Sequence, residues 1–325
     1  MGKASRTKQD GDRRARIAAQ REAQRRAEQR KRIYLAGGSI LVVAIVVIAL
    51  VLVKLNSGGG TAASTSNGPT GAALTTVTKQ VTGVPASVTD KVAGGGVNKS
   101  LFVAAKTPAA VTSASQAGSY FATVSGTPLT SGGKPEVLYM GAEYCPFCAA
   151  QRWSMVNALS RFGTFTGLTT THSSSTDADP NTPTWTFYKS TYKSDYINFT
   201  SVEETSNVRQ GNSSSTSVPY VTLQTPTAAQ TALGQAYDPG GSIPFIDMGN
   251  KYVQVGNLSP LDPAMLAGKT WAQVASAMND PSSSLGKAIV GNANYMTAAI
   301  CKMTNNQPAT ACTPTIQTLE GDLAS

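Results

Sequence analysis

The sequence predicts an α/β domain carried behind one membrane-spanning helix, and three observations predict it. Cys145-Pro146-Phe147-Cys148 lies between an apolar run, Pro135 to Ala142, and a helix-like pattern that starts at Ala149. Ser242-Ile243-Pro244-Phe245-Ile246-Asp247-Met248, then Gly249-Asn250, then Lys251 to Gly256, reads as a proline-initiated hairpin with a tight turn. Ile33 to Val53 is a stretch of 21 residues with no charge. As a helix rising about 1.5 Å per residue it matches the roughly 30 Å hydrocarbon core of a bilayer.

Residues 1–32 hold 12 Lys/Arg and 4 Asp/Glu, a net +8 out of the chain's +9, and end in Arg30-Lys31-Arg32 against the apolar run. The positive-inside rule then makes 1–32 a basic cytoplasmic tail, 33–53 the transmembrane helix and everything beyond Lys54 extracytoplasmic. A cleaved signal peptide is the competing reading, but the charged region is long and the apolar run exceeds the usual ~7–15 residues. Residues 33–325 carry 15 basic and 14 acidic side chains. That near-neutrality gives no support to a nucleic-acid partner, and the basic charge reads as a topogenic tail. Residues 54–83, rich in Gly, Ser and Thr, read as a flexible linker. The remaining 84–325 suffice for one sizeable extracytoplasmic domain.

A thiolate is the nucleophile in disulfide exchange, and a cysteine at a helix N-terminus has its thiolate favoured by unpaired N–H groups and the macrodipole. Cys145 is therefore the expected attacker. Cys148, one turn on and facing the same way, is the resolving thiol. Phe147 offers Cys145 neither charge nor hydrogen bond, unlike the histidine of strongly oxidising Cys-Pro-His-Cys sites. The two other thiols, Cys301 and Cys312, flank a turn-like Thr304-Asn305-Asn306-Gln307-Pro308, after an amphipathic stretch with Leu285, Ile289, Met296 and Ile300. An even count outside the cytoplasm suits one working pair and one structural disulfide, Cys301–Cys312. A relay pair serving Cys145/Cys148, or a four-cysteine zinc site, are the alternatives. The main reading needs no cofactor and no metal.

After the cysteine loop, Trp153, Val156, Leu159 and Phe162 share a helix face with Gly163 as a stop, and Gly167 to Thr171 is a second strand candidate. Thr270-Trp271-Ala272-Gln273 reads as a capping box opening a helix through Met278. Strand, CxxC, helix, strand, proline-led hairpin and helix is the thioredoxin order of elements. In that fold a cis-proline faces the CxxC and leaves the backbone before it, here Ile243, free to pair with an extended substrate. Pro244 is the choice over Pro219, because only Pro244 is followed by the hairpin and closing helix. The long interval from Cys148 implies a large insertion over about 173–240. Trp185, Phe187, Tyr188, Tyr192, Tyr196 and Phe199 give it core, or a substrate groove. His172, the sole histidine, reads as a strand-end residue rather than a general base.

These motifs resemble a known family, the bacterial and archaeal domain of unknown function 929. The resemblance runs from about Val84 to Cys312. It rests on Val84-Pro85-Ala86-Ser87, Lys134 to Tyr139, Gly141-Ala142-Glu143-Tyr144-Cys145-Pro146-Phe147-Cys148-Ala149-Ala150, Pro244 to Asp247, Gly249 to Tyr252 and Ala298 to Cys301. It implies a membrane-tethered thioredoxin-like protein with redox chemistry and no settled substrate. Similar sequences often carry an acidic residue after Ala149-Ala150. Here the position is Gln151, which leaves proton transfer at the second thiol without an assigned group. The expected function is a membrane-anchored thiol–disulfide oxidoreductase whose partners are cysteine-containing extracytoplasmic proteins and a redox partner. The rival is a binding or structural module in which Cys145–Cys148 is a permanent staple.

Overall fold

The computed structural model describes residues 68–97, 102–104, 121–256 and 261–323, all within the compact unit 63–325. Helices α1 (Gly71–Thr82) and α2 (Ala86–Val92) come first, followed by strands β1 (Phe102–Ala104), β2 (Phe121–Thr123), β3 (Thr130–Ser131) and β4 (Lys134–Gly141). Helix α3 (Pro146–Leu159) precedes β5 (Gly163–Thr166), β6 (Thr169–His172), β7 (Pro183–Thr186), β8 (Thr191–Ser194), β9 (Asn198–Glu203), β10 (Thr205–Arg209) and β11 (Tyr220–Thr222). Then come α4 (Ala228–Tyr237), β12 (Phe245–Met248), β13 (Tyr252–Val255), α5 (Trp271–Met278), α6 (Ser284–Met303) and α7 (Pro314–Glu320).

β4 lies inside a mixed seven-stranded sheet in the order β1-β2-β13-β12-β4, with the short β3 paired to its start and β9 along its other edge. β12 runs antiparallel to β4, Phe245 opposite Met140 and Ile246 opposite Tyr139. β9 runs parallel, from Glu136 opposite Asn198 to Gly141 opposite Glu203. Alternation along β4 sorts its side chains to two faces. Val137 and Tyr139 join the larger core with Trp153, Val156 and Leu159 of α3, Val274 of α5, and Ile289 and Met296 of α6. Leu138 and Met140 join a smaller core with Val202, Phe245, Val253 and Tyr237 of α4. The hairpin β12–β13 turns at Gly249 and Asn250, both at positive φ (69° and 55°), the left-handed region such a two-residue turn requires.

Several expectations are corrected. Among the described residues no helix is long and apolar enough to cross a membrane, so what the described residues support is a mixed α/β fold class, without the spanning helix expected ahead of it. The segment 33–53 that carried that expectation, the tail 1–32 and the linker as far as residue 67 lie outside the described residues. The linker reading of 54–83 fails over its last part, because α1 is a packed helix with Val77 and Val81 buried. Its carbonyls accept hydrogen bonds from Asn157 (Val81 O, 2.8 Å) and Asn279 (Gln80 O, 3.1 Å). Two buried valines stabilise by about 3 kcal/mol or more. Their i, i+4 spacing was the available signal, hidden by a Thr- and Ala-rich composition.

The excursion over 173–240 is not one insertion. Its middle, β9, is a strand of the main sheet, whereas the strand candidate Gly167 to Thr171 falls largely in β6, which pairs only with β7 in a small antiparallel ribbon. β5 and β8 form a second ribbon. These ribbons bury the aromatics. Trp185 and Phe187 are enclosed, and Phe187 packs against Tyr139, Phe165 and Phe199 at centroid distances of 5.3, 5.8 and 5.0 Å. Tyr192, Tyr196 and Phe199 are half-buried against the same core, and the half-buried Tyr188 lies outside it. α3 ends at Leu159 with Ser160 as its C-cap, and Gly163 instead opens β5.

Candidate functional site

β4 ends at Gly141, and the chain turns through Glu143 and Tyr144 before α3 begins at Pro146 with Cys145 as its N-cap. Pro146 suits the first helical position because its missing N–H would have had no partner there. The Cys145 sulfur accepts the Cys148 N–H at 3.3 Å, taking the place of an ordinary capping oxygen. Pairing of Phe245 with Met140 sets the preceding residues of the hairpin beside the cysteine loop. The Ile243–Pro244 peptide is cis, and the Ile243 carbonyl accepts the Cys145 thiol at 3.8 Å. Cys145 is 5% exposed and Cys148 0%, both as free thiols. Phe147 is half-buried beside them, and Pro146 is buried.

The two thiols differ electrostatically. The Cys148 thiol hydrogen-bonds Cys145, and with the backbone N–H groups of Cys148 and Phe147 and the Arg152 charge it lowers the Cys145 pKa against the opposing effect of burial. Burial, reinforced by the neighbouring Cys145, pushes Cys148 well above the ordinary thiol range, with Arg152 opposing. Arg152 lies one turn beyond Cys148 on α3 and is fully buried. It forms a two-pronged ion pair with Glu203 of β9, Nη2 to Oε2 at 2.6 Å and Nε to Oε1 at 2.8 Å, and Nη2 also donates to Ala142 O at 2.8 Å. Removing either partner would strand a buried charge at a cost of about 3–5 kcal/mol.

Two buried polar atoms beneath the thiols have no partner, Arg152 Nη1 and Tyr139 Oη. Each such group costs roughly 1–3 kcal/mol. The Arg152 guanidinium carbon sits 5.7 Å from the centre of the Tyr139 ring. Gly141 makes the closeness possible: a Cβ there would collide with Tyr139 Oη and stand 3.0 Å from Cys148 Sγ. Glu143, also buried, has its carboxyl raised by desolvation, opposed by a Thr186 hydrogen bond and the Arg152 charge.

Residues 120–302, more than half of the 325, match the family described as a domain of unknown function (DUF929). The chain belongs to this family. No curated protein and no solved structure matches it. The DUF929 match spans β4, the cysteine loop, the excursion and the hairpin, so every group of this site lies inside it.

The remaining sequence candidates of this DUF929 chain fall elsewhere. Pro219 sits in the β10–β11 ribbon, where its carbonyl accepts Gln210 N–H at 2.9 Å. His172 ends β6 with Nδ1 2.8 Å from Ser173 O, and lines a separate cavity of about 530 Å³ with Lys269 and Trp271. Cys301, in the last turn of α6, is bonded to Cys312 with Cα atoms 5.7 Å apart, leaving neither thiolate for a zinc site or for a relay in this state. Among the described residues no three potential metal ligands converge. Gln151 is fully buried in a chain of amides, donating to Gln254 Oε1 at 3.0 Å and accepting from Asn292 at 2.9 Å.

Sequence reasoning missed Tyr139, Arg152, Glu203 and Glu143. An Arg four residues after Cys148, within an apolar helix, was the one local hint; its partner lies on a strand that read as insertion.

Proposed function

We propose that this protein is a thiol–disulfide oxidoreductase acting on protein cysteines, built on a thioredoxin-like arrangement of strand, CxxC helix and cis-proline hairpin. The observation that carries the reading is the asymmetry of the pair. Cys145, at a helix N-terminus, keeps 5% exposure and has its pKa lowered, while Cys148 is fully enclosed behind it with its pKa raised. Such a pair attacks with one sulfur and resolves with the other. The Ile243 carbonyl beside Cys145 supports docking of an extended substrate segment at the same edge. The Cys301–Cys312 bridge supports work in an extracytoplasmic compartment where disulfides persist, with a separate redox partner resetting Cys145 and Cys148.

Cys148→Ala leaves a nucleophile with no resolving thiol. Mixed disulfides with substrate proteins should accumulate and collapse under reductant, and Cys145→Ala should trap nothing. Equal thiol reactivity at both positions, with no adducts from Cys148→Ala, would overturn the reading and leave a binding module stapled at Cys145–Cys148.

A further inference from the structure

A proton must leave Cys148 before it can attack, yet Gln151, the buried polar residue one turn on, carries no carboxylate and is tied into an amide chain by Gln254 and Asn292. The surroundings of the sulfur offer a different solution. Tyr139 projects from β4 into the core under the cysteine loop, fully buried, with a hydroxyl that has no hydrogen-bond partner. The phenol oxygen and the Cys148 sulfur both border the space that a Gly141 side chain would fill. Arg152 supplies positive charge from the next turn of α3, with Nη1 also unpartnered.

We propose that the Tyr139 hydroxyl, backed by the Arg152 guanidinium, forms a buried anion-holding site for the Cys148 thiolate, and so sets the rate of the resolving step. The inference rests on the oxidoreductase reading and deepens it. In that step Cys148 releases its thiol proton and its sulfur electron pair bonds to Cys145 Sγ. The Cys145–substrate S–S bond breaks with its electrons passing to the substrate sulfur, which takes up a proton. The two cysteines are oxidised and the substrate is reduced. Tyr139 neither gains nor loses a proton. Burial keeps it a phenol, with a pKa well above its ordinary value, so it acts as a donor to the thiolate. It is a positioning residue for Cys148 and is distinct from the exchanging thiols. The other charged or titratable groups facing this pocket are Cys145, Glu203, which neutralises Arg152 through the ion pair, and Glu143 and Tyr144 on the loop.

The test uses reduced full-length protein with Cys301–Cys312 intact and an aromatic disulfide, 5,5′-dithiobis(2-nitrobenzoate). Attack by Cys145 releases one nitrothiolate; resolution by Cys148 releases a second in a separate phase. Tyr139→Phe removes only the oxygen. It should leave the first phase unchanged, slow the second about tenfold, and raise the pH midpoint of the second by about one unit, the same free energy. A second phase within twofold of the parent, with an unmoved midpoint, overturns the anion-holding role while the oxidoreductase reading stands. No second release in the unmodified protein defeats both. Should Tyr139→Phe not fold, 3-fluorotyrosine in place of tyrosine preserves the shape and strengthens the donor. The second-phase midpoint should then fall, and a midpoint that stays put counts against the proposal.

Discussion

Cys145 and Cys148 stand at the first turn of α3 as free thiols, one slightly exposed and one fully enclosed, over a buried Arg152–Glu203 pair. Cys301 and Cys312 are joined between the last turn of α6 and the start of α7, both buried among apolar side chains. The helix ends account for much of the contrast. A thiolate at the N-terminus of α3 meets unpaired N–H groups and the positive end of the macrodipole, whereas at the C-terminal turn of α6 it would meet carbonyls and the negative end. One chain thus makes one thiol of the first pair, Cys145, easy to ionise and leaves the other pair joined.

The contrast can be broken most severely by measuring both reduction potentials in thiol–disulfide buffers, counting thiols at each pair. Cys145–Cys148 should lie above about −300 mV and Cys301–Cys312 below it, with a gap on the order of 100 mV, or about 4.6 kcal/mol for two electrons. A shared potential would erase the distinction. Next in size, replacing both Cys301 and Cys312 with Ala should lower stability by about 3 kcal/mol, the chain-entropy value for so short a loop. For a domain of this size that is roughly 6–12 °C of melting temperature. Disulfide exchange should stay within about twofold, and a large loss of exchange would turn the bridge into a participant. The smallest effect is a matter of sign. Because the Cys145 pKa is lowered, its alkylation rate should rise with pH and level off at a midpoint below the roughly 8.5 of an unperturbed thiol. Cys148, measured after Cys145→Ser, should still be rising above that pH.

What could be read without coordinates follows the range of the forces involved. The Trp271–Met278 helix with its Thr270–Gln273 box, the hairpin turn at Gly249 and Asn250, and Cys145 at the head of α3 are set by neighbours within a few residues. β9 was illegible because Asn198-Phe199-Thr200-Ser201-Val202-Glu203 lacks the unbroken apolar run of a doubly covered strand. Its end residues serve side-chain partners instead: Asn198 bonds Ser131 O, and Glu203 bonds Arg152. The charged floor of the site was lost with it, since Arg152 alone on an apolar helix does not name its acceptor. α1 was missed for the opposite reason, a legible spacing overruled by composition.

The sequence separation of 51 from Arg152 to Glu203 also bears on how this molecule is made. Closing a parallel pair over such a distance is slow compared with forming a helix turn, and synthesis delivers the N-terminal partner first. α3, with both thiols and the cation, therefore emerges before the acceptor that neutralises the cation exists. For that interval the nearest sulfur to Cys145 along the chain is Cys148, and Cys301 follows much later. A nascent chain oxidised early is steered by sequence order toward a bond between Cys145 and Cys148, while the Cys301–Cys312 bond waits for the last helices.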